Sequence, residues 1–172
     1  MGVAGFSFLA IQFLPVGARV NPPVNPEHTI EAQMQVPEHV QKIINRSCKN
    51  CHSDATVWPW YSKIAPISVL VTKDVALARK TMNLSKWSVQ AGLSLQSEIG
   101  ILTAACADIK TGRMPMPRYV ALHPEAKLSE EEKKSFCAWS TAETKQLVQQ
   151  LRKQREKTSA NRDAARVTVP GT

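Results

Sequence analysis

The apolar positions of this chain recur at spacings of three and four, the period of an amphipathic helix. Val40, Ile43, Ile44 and Ser47 form the first stripe, opening near Pro37, a residue suited to a first helical turn. A second helix is predicted from Pro66, with Ile67, Leu70, Val71, Val75 and Ala78 turned inward, ending before Asn83. Ser85 is placed to cap a short turn that holds Trp87. The third stripe is Leu95, Ile99, Leu102, Cys106 and Ile109, stopped by Gly112. Ser129 and Glu132 form a capping box for a last helix carrying Phe136, Cys137 and Trp139 inward and continuing through Leu147 and Leu151 as an exposed extension. The spacing predicts an all-α protein.

The two ends read differently. Residues 3–16 are an apolar run with no charge before Arg19, too short for a confident span and matched to the apolar core of a signal peptide or a short anchor. Three prolines at 22, 23 and 26 then predict an extended spacer. No apolar period remains from Thr158 onward, which predicts a disordered tail. The organisation read this way is a signal or membrane-anchor segment over 1–18, a spacer over 19–35, one domain over 36–142, and a basic helical extension with its tail over 143–172. Net charge is +8, much of the excess lying in the last quarter. No nucleic-acid motif accompanies it, so a solvated helix face is the reading for most of these lysines. Some of them are expected to steer an acidic redox partner.

Chemistry enters at Cys48-Lys49-Asn50-Cys51-His52, the spacing of covalent c-type haem attachment. Two thiols one helical turn apart can each add to a vinyl group of a porphyrin, and the adjoining imidazole can ligate the iron. A zinc site would need a second pair of ligands, and Cys106 and Cys137 stand alone in sequence. They fall on the inward stripes of two helices. A disulfide between them is expected, with two buried thiols as the alternative. The alternating prolines of Met114-Pro115-Met116-Pro117 hold the backbone extended, which gives a methionine there a defined direction. Met114 is the candidate sixth iron ligand, with Met116, Met82 and His123 as alternatives. Trp58, Trp60 and Tyr61 form an aromatic loop expected either to close one side of the haem pocket or to anchor its own backbone.

The ordered succession of Ile11-Gln12-Phe13, Asn21-Pro22-Pro23-Val24, the cysteine–histidine motif with Ser53, Trp58-Pro59-Trp60-Tyr61-Ser62, Ile64-Ala65-Pro66, Asn83-Leu84-Ser85 with Trp87, Met114-Pro115 and Leu122-His123-Pro124-Glu125-Ala126 resembles the bacterial haem-binding domain family of the cytochrome c superfamily. The resemblance spans roughly residues 10 to 140. It implies a cytochrome c-like helical fold, one covalent haem held by Cys48, Cys51 and His52, Met114 as distal ligand, and export, usually behind an amino-terminal membrane segment. The expectation is a periplasmic single-electron carrier with redox-protein partners, no nucleic-acid partner, and membrane association through the amino terminus. The rival is a haem sensor or peroxidase-like enzyme with an open sixth position, in which His123 could serve as a distal base.

Overall fold

The computed structural model describes residues 19–88 and 91–167. The apolar segment expected to be a signal or anchor lies outside them. Helices α1 (Ile30–Gln33), α2 (Glu38–Ser47), α3 (Lys49–His52), α4 (Ile67–Thr81), α5 (Leu95–Lys110), α6 (Pro117–Leu122) and α7 (Glu130–Val167) follow one another, with single 3-10 turns at Pro26–His28, Trp60–Lys63 and Pro124–Ala126. No strand occurs among the described residues. The architecture is the expected all-α one, consistent with a cytochrome-like domain. None of the described helices is long and apolar enough to cross a membrane.

The core forms where the predicted stripes meet. Val40, Ile43, Ile44 and Ser47 of α2 are all buried. Leu102 and Ile109 of α5 pack with Phe136, Cys137, Trp139 and Leu147 of α7 in one apolar cluster. Cys106 and Cys137 are joined by a disulfide across that pair of helices, and the Ser140 hydroxyl donates to the Leu102 carbonyl at 2.7 Å. The end of α5 and the start of α7 are built as the sequence indicates, and Ser94 caps the start of α5. The Ser94 hydroxyl accepts from Ser97 N–H at 3.2 Å, and Gly112 ends α5 at φ +70°, a left-handed conformation in which a side chain would be strained. At α7, Ser129 N–H donates to Glu132 and Glu132 N–H donates to the Ser129 hydroxyl, closing the capping box.

Three expectations need correction. Ile67 and Leu70 of α4 are 44% and 46% exposed, and the buried face is Ser68, Thr72, Val75 and Ala78. Small side chains there let α4 lie close on the Trp60–Lys63 turn, so steric fit rather than apolar count selects the face. The stretch expected as a free spacer over 19–35 is laid on the domain instead. Arg19 Nη1 donates to the Ser62 carbonyl and Asn21 Nδ2 to the Thr56 carbonyl, each at 2.8 Å. Ile30 is buried, and Met34 packs against the same core. Finally, α7 continues through Val167 where a disordered tail was expected from Thr158. Missing apolar period removes a packing face, but residues 158–167 contain neither Gly nor Pro, so nothing in them breaks the helix.

Glu98 of α5 gives the fold a measurable pH dependence. The residue is 7% exposed, and burial pushes its carboxyl above the ordinary range. The folded chain therefore holds this proton more tightly than the unfolded chain. Its contribution to stability is present at low pH and lost as pH rises through the folded value. Glu98→Gln is expected to raise the urea midpoint at pH 7, with the gain fading below about pH 4, where the unfolded carboxyl is itself protonated. Equal midpoints at pH 7 would contradict this.

Candidate functional site

The cysteine–histidine motif lies at a break between two helices. Cys48 ends α2 and caps α3, with φ −122° and ψ −43°, and its carbonyl accepts from the N–H groups of Cys51 and His52. That single turn brings Cys48, Cys51 and His52 to the wall of one cavity of about 960 Å³. Other walls come from Leu102 and Ile109 of α5, Phe136 and Trp139 of α7, Trp87, and Tyr119 of α6. Met82, Met114 and Met116 also line it.

Burial decides the protonation states. It pushes the Cys48 thiol up to about 12, with the neighbouring Cys51 adding to the rise and Arg46 opposing it. Cys51 is raised by burial and then by Asp74. Burial pulls His52 down, against the opposing pull of backbone carbonyls that include Met82. At neutral pH the motif thus presents two thiols and a neutral imidazole. The imidazole's tautomer follows from its partner. A carbonyl can only accept, so His52 Nδ1 carries the hydrogen donated to the Met82 oxygen at 3.1 Å. This leaves the Nε2 lone pair free, the form in which histidine binds a metal.

A polar hub fixes the chain that follows His52. Arg79 donates from Nε to the Ser53 carbonyl, from Nη1 to the Val20 carbonyl, and from Nη2 to Asn21 Oδ1 and Thr56 Oγ1, each at 2.8 Å. Its guanidinium carbon also lies 6.0 Å from the centre of the Trp58 ring. Beside it Asp54, 2% exposed, accepts from Asn83 Nδ2 at 3.0 Å and pairs with Lys86 at 3.5 Å and Arg79 at 3.6 Å. The amino-terminal strap, the loop after the motif and the end of α4 meet at these two side chains.

The structure brings Cys48, Cys51, His52 and Met114 to the same cavity, as expected of a ligand-binding set, and does not bring the aromatic loop there. Trp58, Trp60 and Tyr61 are absent from the cavity wall. Trp58 faces Arg79, Trp60 is 72% exposed, and the Tyr61 hydroxyl pairs with His123 Nε2 at 2.7 Å. The loop turns away because the Asp54–Arg79 hub draws it toward α4, so these aromatics anchor the backbone. His123 is likewise outside the wall. The aromatics that do line the cavity are Trp87, Tyr119, Phe136 and Trp139, each remote in sequence from the motif. Trp87 had been legible only as the content of a capped turn.

This is an all-α protein with an apolar internal cavity that carries two thiols, an imidazole and thioethers on its wall. The chain belongs to the haem-binding domain family, whose sequence model matches residues 6–142. No curated protein and no solved structure matches it. Among the described residues no group of three or more His, Cys, Asp or Glu side chains is arranged to hold a bare metal ion. The cavity suits the family's ligand. Its volume falls within the range of about 300–1,000 Å³ usual for small-ligand and cofactor sites. Trp87, 1% exposed, has an indole N–H with no hydrogen-bond partner, a cost that an acceptor on a bound ligand would remove. Haem offers two peripheral carboxylates. Trp87→Phe, which deletes that donor, is expected to lower the stability of the haem-loaded protein by about 1–3 kcal/mol. Chemical denaturation of loaded wild type and variant would read the difference directly.

Proposed function

We propose that this protein is a mono-haem c-type cytochrome that carries single electrons outside the cytoplasm. The observation that carries this reading is that Cys48, Cys51, His52 and Met114 all line one cavity. Each thiol would add across a vinyl group, its hydrogen passing to one carbon and its sulfur to the other, with no net oxidation. The neutral His52, oriented through Nδ1, would offer Nε2 to the iron. Met114 would offer its thioether, a soft ligand that raises the potential of haem iron. Bound haem supplies reversible one-electron chemistry at its iron.

The remaining residues favour transfer over reaction. The apolar walls formed by α5 and α7 exclude water from the ligand. A thioether in the sixth position leaves no room there for peroxide or a gas. Lys80, Lys86 and Arg118 stand exposed where the cavity meets solvent and suit an acidic redox partner. The disulfide between Cys106 and Cys137 supports an oxidising compartment. With the apolar run at residues 3–16, it favours a periplasmic location with the amino terminus as signal or anchor.

Absorption spectra of the chain made in cells equipped for haem c maturation test the proposal. The expected result is haem retained through acid–solvent extraction, a weak far-red ferric band from bound methionine, and a ferrous spectrum unmoved by carbon monoxide. Met114→Ala should abolish the far-red band, lower the potential and admit carbon monoxide. A high-spin wild-type ferric spectrum with a carbon monoxide shift after reduction would instead establish the sensor or peroxidase class. Extractable haem would rule out the c-type assignment.

A further inference from the structure

Met114 lies between two anchors of different kinds. On its amino-terminal side the end of α5 holds it: Arg113 N–H and Met114 N–H both donate to the Asp108 carbonyl, at 2.9 and 3.1 Å. On the other side only Pro115 and Met116 separate it from α6, a six-residue helix with no buried residue. Only Tyr119 and Val120 of α6 are half-buried, so apolar packing alone holds the helix weakly. Side-chain bonds between three pairs of residues add to it. Arg118 grips Asp74 with two bonds of 2.7 and 3.2 Å. Its side chain is 55% exposed, where ion pairs contribute little. The other two bonds converge on a pair of stacked rings. Asn50 Nδ2 donates to the Tyr119 hydroxyl at 3.1 Å, and His123 Nε2 pairs with the Tyr61 hydroxyl at 2.7 Å. The Tyr119 and His123 rings stack at 4.4 Å and 21°.

The direction of the second bond can be worked out. Glu125 Oε1 lies 3.1 Å from His123 Nδ1. An ionised carboxylate can only accept, so Nδ1 carries the hydrogen and, in the neutral ring, Nε2 accepts from Tyr61. Tyr61 is 9% exposed and belongs to the Trp60–Lys63 turn, which Arg19 in turn holds through the Ser62 carbonyl. Asn50 lies inside the cysteine–histidine motif itself and also accepts from Val57 N–H at 3.2 Å. Two hydrogen bonds joined by a ring stack thus link the motif, the aromatic loop, and the middle and carboxyl end of α6.

We propose that Tyr61 and His123 are positioning residues for the distal ligand: their hydrogen bond holds α6, and through it Met114, at a set place on the cavity wall. This rests on the His52 and Met114 ligand reading. Neither residue touches the cavity. They act through Tyr119 and the backbone of α6.

The test uses the full-length, haem-loaded chain and imidazole as a competitor for the methionine position. Tyr61→Phe keeps the ring and removes the bond, and is expected to bind imidazole about five- to tenfold more tightly in the ferric state. His123→Ala should do at least as much. His123→Gln, which can still accept from Tyr61, should recover part of the loss. Trp60→Leu, altering the exposed neighbour of Tyr61, should titrate like wild type. The double variant Tyr61→Phe/His123→Ala should add little to His123→Ala alone, because the two share one bond. Imidazole affinities of Tyr61→Phe and His123→Ala equal to wild type would overturn the proposal, even if both variants melted at a lower temperature. A wild type without the far-red band would overturn the ligand reading and this proposal together, so the two failures are distinguishable.

Discussion

A buried imidazole that is to bind a metal must be neutral, must keep one nitrogen free, and must not rotate. Burial meets the first demand on His52, and the hydrogen bond from Nδ1 to the Met82 carbonyl meets the other two. The carbonyl selects the tautomer, burial keeps the ring uncharged, and the fixed bond length sets its orientation. Much of the surrounding architecture serves that contact. The next turn of chain returns the favour, since Leu84 N–H donates to the His52 carbonyl at 2.7 Å. Motif and α4 terminus are therefore joined by two bonds, one through the ring and one through the backbone. The Asp54–Arg79 pair then locks both segments against the amino-terminal strap. Replacing Arg79 by Lys would keep the charge and lose the fork that reaches Ser53, Val20, Asn21 and Thr56 together.

The far side of the cavity is secured in another way. There α5 and α7 meet over a continuous apolar face, and the disulfide closes it covalently between residues 31 apart in sequence. Linking two distant points mainly restricts the unfolded chain, so it supports the wall without crowding the cavity. The cavity is thus bounded by a polar, hydrogen-bonded half near the motif and a greasy, cross-linked half opposite in character.

How much of this could be read from the residues depended on the kind of force involved. The stripe of α2, the glycine stop of α5, the capping box of α7 and the thiol–histidine motif were legible, because each is a local pattern with one physical meaning. The prolines pointed to Met114, which lines the cavity together with the alternatives Met116 and Met82. The burial face of α4 was legible only in part: Val75 and Ala78 turn inward as expected, Ile67 and Leu70 do not. Its apolar residues outnumber the small ones, and only the closeness of the Trp60–Lys63 turn makes Ser68 and Thr72 the better inward residues. The aromatic loop left two roles open, pocket wall or backbone anchor, and its partners Arg79 and His123, remote in sequence, favour the second. The roles of Trp87, Tyr119 and Asn50 were not legible, because each is set by partners at long range. The helical course of residues 158–167 was missed because absent amphipathicity was taken for absent helix.

Helix α6, which buries none of its residues, has a consequence for motion. An element held by a few side-chain bonds opens on its own, with a free energy well below that of the cross-linked core. Two thresholds are therefore expected: a low one, at which the segment from Met114 to His123 lifts away, and a high one, at which α5 and α7 separate. Amide hydrogen exchange would resolve them as separate units. Whatever enters the cavity from outside would pass by the first threshold, long before the protein unfolds.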